Sequence, residues 1–194
     1  LARAIDEFLA TGRYMKEFRT QKCTPVPKKP VNEIYKHLRP VLVSHALVNI
    51  LEKVMAKQFY KSCEENKWLH ANQFGFRSAY SIGLLVSHMR KIISKRKNAI
   101  FCVVQPDQSN AFGSPDVERI LEKLNSRLED GAFDLIKSFL VQSSAAVQIQ
   151  GESSILFKTA PRGFAQGSCL SPILFCTLMT DSHHEVVSVS LTFA

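Results

Sequence analysis

Residues Gly163 to Pro172, Gly-Phe-Ala-Gln-Gly-Ser-Cys-Leu-Ser-Pro, constrain this chain more than any other stretch. A Gln166-Gly167-Ser168 turn gives way to Leu170-Ser171-Pro172 and then to the apolar run Ile173–Met179. Ser171 has the side chain of an N-cap, and Pro172 suits the first helical position, where its missing N–H costs nothing. The pattern predicts a flexible loop over 163–168 held against the start of a buried helix. Glycines let such a loop approach a flat, charged ligand, and the Gln166 amide can hydrogen-bond it. An ordinary glycine-containing loop before a core helix is the alternative reading of the same residues.

At 194 residues the chain suffices for one large domain or two small subdomains with a real core. Nothing approaches the ~20 consecutive apolar residues of a transmembrane helix, so no membrane partner is expected. The N-terminal Leu1-Ala2-Arg3-Ala4-Ile5-Asp6 is amphipathic and acidic, unlike a signal peptide, and its lack of an initiator Met suggests an excerpt. The five cysteines (Cys23, Cys63, Cys102, Cys169, Cys176) are odd in number and include no Cys-x-x-Cys pair. That argues against a disulfide framework or a zinc site and for a reducing, intracellular setting. His183 and His184 are adjacent, so they point to different faces and read as a solvated pair.

Charge is distributed unevenly. Residues 1–97 hold 19 Lys+Arg against 7 Asp+Glu, and residues 98–194 hold 6 against 10. A basic half joined to a mildly acidic one suggests a part that grips a polyanion and a part that holds carboxylates for chemistry. A merely solvated basic surface is the alternative.

Residues 3–10 read as a short helix ending near Gly12. Pro25, Pro27 and Pro30 force 24–30 into loop or edge strand. Leu47, Ile50, Leu51, Val54 and Met55 mark a helix over 44–60, and a basic helix covers 79–97 with Leu84, Leu85, His88 and Ile92 on one side. His88 reads as a half-buried core histidine. Ala99–Val104 has the length and β-formers of a buried strand and delivers Asp107 at its end. Ser114-Pro115 opens an amphipathic helix through 129, stopped by Asp130-Gly131, and another helix covers 133–142. Val147 and Ile149, a turn over Gly151–Ser154, and then Ile155, Phe157 and Thr159 predict a hairpin. The fold class expected is α+β. Val187–Ala194 is a strand pattern with no closing element.

A carboxylate at the end of a buried strand is costly unless it meets a metal or a cation. Asp107 alone reads as a turn residue beside Pro106. Read with the Gln166-Gly167 loop, the proline-lysine segment, Leu38-Arg39-Pro40-Val41 and Gln73-Phe74-Gly75-Phe76-Arg77, it gains a different meaning. That set, in that order, resembles the reverse transcriptase domain of non-LTR (LINE-type) retrotransposons over nearly the whole chain, from Phe8 to Ala194.

The resemblance implies a right-hand polymerase: basic, helix-rich fingers at 1–98, an incomplete palm with an antiparallel sheet at 99–194, and no thumb. It implies Asp107 as the first metal-binding carboxylate, with the Gln108 carbonyl beside it. Asn110 and Ala111 would offer backbone N–H groups to the triphosphate, and Phe112 would exclude a ribose 2′-hydroxyl. Gln166 and Gly167 would line the nucleotide pocket, Lys28 and Arg39 would neutralise the triphosphate, and Gln73, Gly75, Phe76 and Arg77 would contact template RNA. The implied partners are an RNA template, a DNA primer and deoxynucleoside triphosphates. The implied cofactor is Mg²⁺, two ions about 4 Å apart, bound by hard oxygen ligands. Reverse transcription of this kind implies chromosomal DNA, hence a nuclear location for a functional protein.

The sequence also departs from the family pattern. The paired Asp-Asp would follow Leu191-Thr192-Phe193-Ala194, where the chain stops, so the chain as written is not expected to polymerise. Gly113 stands where a second Asp is usual, Ala165 where Pro is usual, Pro106 stiffens the approach to Asp107, and Met179–Val189 is short. Asp116 and Asp181 do not substitute by motif; Asp116 reads as a first-turn helix residue. Three readings stay open: a fragment of an RNA-directed DNA polymerase, a non-catalytic nucleic-acid-binding remnant, and a relic whose open sheet edge favours aggregation.

Overall fold

The computed structural model describes residues 6, 8, 10–12, 20–27, 38–95, 110–141, 144–158 and 162–183. Lys28, Asp107, Gln108, Cys102, His184, the Ala99–Val104 strand and the Val187–Ala194 pattern lie outside them. In chain order the elements are β1 (Thr20–Pro27), β2 (Leu38–Val43), α1 (Ala46–Glu65), α2 (Ile82–Ser94), α3 (Val117–Asn125) and α4 (Asp130–Val141). They continue with β3 (Ser144–Ile149), β4 (Glu152–Ser153), β5 (Phe157–Lys158), α5 (Ser171–Met179) and a 3-10 turn at Thr180–His183. This is a mixed α and β domain.

The sheet has the order β2-β1-β3-β4, with β5 also paired to β3. β1 runs antiparallel to β2, from Lys22 opposite Val43 to Pro27 opposite Leu38. It runs parallel to β3, from Thr20 opposite Ser144 to Cys23 opposite Val147. The sheet is therefore mixed: the described strand pairs within residues 144–158 are antiparallel, and the parallel pair joins β3 to β1. A return through four helices brings the chain back in the same direction, as a parallel pair requires. The proline strand is central only over its first half. Pro25 and Pro27 lie beyond the stretch of β1 that pairs with β3, which ends at Cys23 opposite Val147, and Pro25 faces Pro40. The sheet joins residues from both sides of position 98.

Helices α1, α3, α4 and α5 build the core. α5 is apolar around its circumference, with Ile173, Leu174, Phe175, Cys176 and Thr177 all buried. Its start lies one residue earlier than expected: Ser171 is inside the helix, and its hydroxyl donates to Ala165 O (2.8 Å). Lys123 Nζ closes the other end on Thr177 O (3.2 Å) and Leu178 O (2.7 Å), and pairs with Asp181 at 2.7 Å. In α1 the buried stripe is Val48, Glu52, Phe59 and Cys63, rotated from the expected one, and Ile50 and Val54 face outward.

Asp116 is the N-cap of α3, accepting from Glu118 N–H at 2.9 Å, rather than a first-turn residue. Asp130 and Gly131 open α4 instead of stopping α3, which ends at Asn125. The hairpin turns earlier than expected, at Gln150 and Gly151, both with positive φ (50° and 90°), which matches strand twist. α2 has Ser81 as N-cap and no buried residue; its His88 is half-buried against Phe74 with ring centroids 5.8 Å apart.

Candidate functional site

The turn at 110–114 and the loop at 162–168 lie about fifty residues apart in sequence and antiparallel in space. Gly163 N–H donates to Pro115 O (2.7 Å), Phe164 N–H donates to Phe112 O (2.6 Å), and the backbones of Asp116 and Arg162 form an isolated antiparallel β-bridge. Gly163 makes this approach possible. Its φ is +88°, and a Cβ there would stand 2.9 Å from Gly113 Cα, Gly113 O and Phe112 O. Gly113 contributes too, because a Cβ at that position would run into the side chain of Asn110, which folds over it. Asn110 itself has φ +55°. The structure thus brings Phe112 to Phe164, two residues before the Gln166-Gly167 turn.

That turn is docked on β2. Leu42 N–H donates to Gln166 O (2.7 Å), and a Cβ on Gly167 would lie 2.5 Å from Leu42 O. The glycine therefore serves a close approach of two protein backbones, where the sequence suggested approach to a ligand and a flexible loop. Arg39 is exposed on the same strand, about 10 Å along it from Leu42 at the usual rise.

Phe112 continues into an aromatic row. Its ring centroid is 6.3 Å from that of Phe76, nearly perpendicular, and 5.5 Å from that of Phe175. Phe76 is 44% exposed and has φ +54°, a costly conformation for a bulky side chain. It overhangs an open groove of about 330 Å³ walled by Lys57 and Tyr60 of α1 and by Cys169, Pro172 and Ile173 at the start of α5.

The rest of the Gln73–Arg77 segment turns inward. Gln73 is 1% exposed, and its amide donates to Gly75 O (3.3 Å) and Cys176 Sγ (3.6 Å). Arg77 makes a bidentate pair with Glu64 at 2.8 and 2.6 Å, donates to His70 O and Gln73 O, and lies 4.3 Å over the Tyr80 ring. The Arg77 guanidinium beside Glu64 holds that carboxyl below its ordinary 4.5. Of the four residues expected to face template, Phe76 is the one with an exposed side chain, and Gly75 is buried.

Sequence reading missed Glu52. It is 0% exposed and accepts from Ser168 Oγ (2.5 Å), Ser44 Oγ (3.3 Å) and the Cys169 backbone N–H. Gln21 of β1 donates in turn to Ser44 Oγ (3.0 Å). Burial pushes the Glu52 carboxyl up, and the three donors pull the other way. Its signal was a carboxylate four residues after Val48 on the buried stripe, visible only once the stripe is read in its true register.

The described carboxylates do not fit a magnesium site. No group of three His, Cys, Asp or Glu converges among the described residues; Asp116 caps α3 and Asp181 pairs with Lys123. Cys63 and Cys176 are buried thiols, pushed up to about 11 and about 12 by desolvation. Among the described residues no helix is long and apolar enough to cross a membrane.

A profile of the reverse transcriptase (RNA-dependent DNA polymerase) family matches residues 26–192. The chain is 26% identical over 180 residues to the Retrovirus-related Pol polyprotein from type-1 retrotransposable element R2 of Popillia japonica, covering 89% of this chain and 24% of that protein. It is 29% identical over 152 residues to the RNA-directed DNA polymerase from mobile element jockey of Drosophila funebris, covering 76% of this chain and 16% of that protein. The chain thus spans a quarter or less of the length of these relatives. It belongs to the reverse transcriptase family, with relatives among the polymerases of non-LTR retrotransposable elements.

Proposed function

We propose that this chain supplies nucleotide- and template-binding walls of an RNA-directed DNA polymerase acting on an RNA template, a DNA primer and deoxynucleoside triphosphates. The observation that supports the reading is the antiparallel docking of 112–116 on 162–164, which bonds Phe112 to Phe164, two residues before the Gln166-Gly167 turn. Phosphoryl transfer depends mainly on positioning and charge neutralisation, so walls that hold a nucleotide in register are central to it.

In this reading Phe112 stands where a 2′-hydroxyl would collide, and Asn110 and Ala111 offer backbone N–H groups to the phosphates. Arg39 on β2 and Lys28 neutralise the triphosphate. Phe76 is the template contact of its segment, a ring on which a base can stack, while Gln73 and Arg77 hold the backbone beneath it. Asp107, with the Gln108 carbonyl, is the proposed magnesium ligand. Since the described carboxylates make no such site, no step is assigned to the metal. The polymerase acts within the cell, at chromosomal DNA.

The test is primer extension on an RNA template with Mg²⁺ by the complete natural protein. Wild type is expected to extend the primer, Asp107→Ala to abolish extension, and Phe112→Val to admit ribonucleotides. Extension by Asp107→Ala at the wild-type rate would remove the metal assignment. The uneven charge, 19 Lys+Arg against 7 Asp+Glu in residues 1–97, favours a second reading in which the chain binds nucleic acid without catalysis. That reading predicts metal-independent RNA binding that weakens steeply with salt, and salt-insensitive binding would exclude it.

A further inference from the structure

Glu52 differs from the other acidic residues with assigned partners. Glu64 is paired with Arg77, Glu65 with Lys61, and Asp181 with Lys123, whereas Glu52 has no Lys or Arg partner among the described residues. It is nevertheless wholly buried. A buried carboxylate without a cation costs stability, and a neutral side chain of the same shape relieves that cost. What the carboxylate offers in exchange is acceptor capacity. It receives three donors at once, which a glutamine cannot do, because its NH2 must then face one of them.

Those three donors come from two places. Ser44 precedes α1 and is held by Gln21 of β1; Ser168 and the Cys169 amide belong to the turn after Gln166. The Ser168 hydroxyl also accepts from Leu170 N–H (3.1 Å), so the same contact sets the entry into α5. The turn is thereby tied to β1 through Glu52 and to β2 through Leu42 N–H on Gln166 O.

Resting on the reading of Gln166 and Gly167 as nucleotide-pocket residues, we propose that Glu52 is a positioning residue: from inside α1 it holds the Gln166–Cys169 turn in the geometry that the incoming deoxynucleotide requires. A device of this kind trades stability for function. A purely structural carboxylate would lose stability and activity together when replaced.

The test uses Glu52→Gln, Ser168→Ala and the double variant in the complete natural protein. For Glu52→Gln the thermal midpoint is expected at or above that of wild type, and KM for deoxynucleotide to rise about tenfold with kcat within about twofold, the scale of a small misplacement of a binding wall. Ser168→Ala is expected to raise KM similarly, and the double variant by less than the two effects combined, since both act through the shared Ser168–Glu52 contact. An unchanged KM in Glu52→Gln, or a fall in melting temperature that tracks the loss of activity, overturns the proposal. Amide exchange over residues 166–170 keeps this separate from the polymerase reading. Glu52→Gln is expected to speed exchange there at least about fivefold relative to wild type, as local hydrogen bonds open more readily. Unchanged exchange overturns the positioning role whether or not the protein polymerises. A wild type that does not incorporate nucleotides, while its Glu52→Gln variant exchanges faster, sinks the polymerase reading and leaves the positioning of the turn supported.

Discussion

Helices α2 and α5 are both rich in Ile, Leu and Met, yet six of the nine residues of α5 are buried and none of the thirteen of α2. The difference lies in their circumference. α5 is apolar on all sides and is enclosed by the core, with Lys123 closing its last turn. α2 is apolar on one side, with Arg90, Lys91 and Lys95 exposed on it or at its end, and it leaves Ile82, Leu84, Val86 and Ile93 in contact with solvent. Apolar content therefore does not say which helix holds the domain together. Enclosure does, because stabilisation follows the area removed from water rather than the residues present.

The contrast can be broken at several points. Leu174→Ala in α5 empties a fully buried site and should cost about 3–5 kcal/mol in denaturant unfolding. A cost near zero would mean that α5 is not the centre of the core. Gly163→Ala comes next, at about 2–3 kcal/mol, since the new methyl must push apart the backbones of Phe112 and Gly113 in a left-handed conformation. It should also separate the two loops, read as faster amide exchange at Phe164.

Arg77→Ala is smaller, about 1–3 kcal/mol, because it strips a charged hydrogen-bond network from a partly buried Glu64. Its effect depends on pH with a definite sign. The Glu64 carboxyl is held below 4.5 in the folded chain, so its contribution is present above 4.5 and is lost as pH falls through the folded value. Wild type should lose stability in that acid range more steeply than Arg77→Ala; parallel curves would show that the pair is not formed. Leu84→Ala in α2 should be smallest, within about 0.5 kcal/mol, and a cost comparable to that at Leu174 would overturn the contrast.

Much of the fold was legible in local pattern. The apolar run after Pro172, the strand character of the proline segment and the hairpin around Gly151 all follow from periodicity and turn chemistry. Register was less legible. The buried stripe of α1 is displaced from the most apolar-looking one, since α1 must present Val48, Glu52, Phe59 and Cys63 to α5 and the turn that leads into it. Residue type misled in a similar way at Gln73 and Arg77. Amide and guanidinium groups suit nucleic acid and suit the protein's own carbonyls and carboxylates equally well, and here they meet Gly75 O and Glu64.

The family, the basic first half, the helix after Pro172 and the Gln-Gly-Ser turn before it are legible along the chain, because each depends on near neighbours or on summed composition. Three things were decided only by the tertiary structure: the parallel pairing of β1 with β3, the fit of Gly163 against Gly113, and the buried carboxylate of Glu52 under Ser168. Each joins residues fifty or more positions apart. No local preference specifies such a contact; it forms where packing the remaining core leaves two backbones, or a donor and an acceptor, with nothing else to meet.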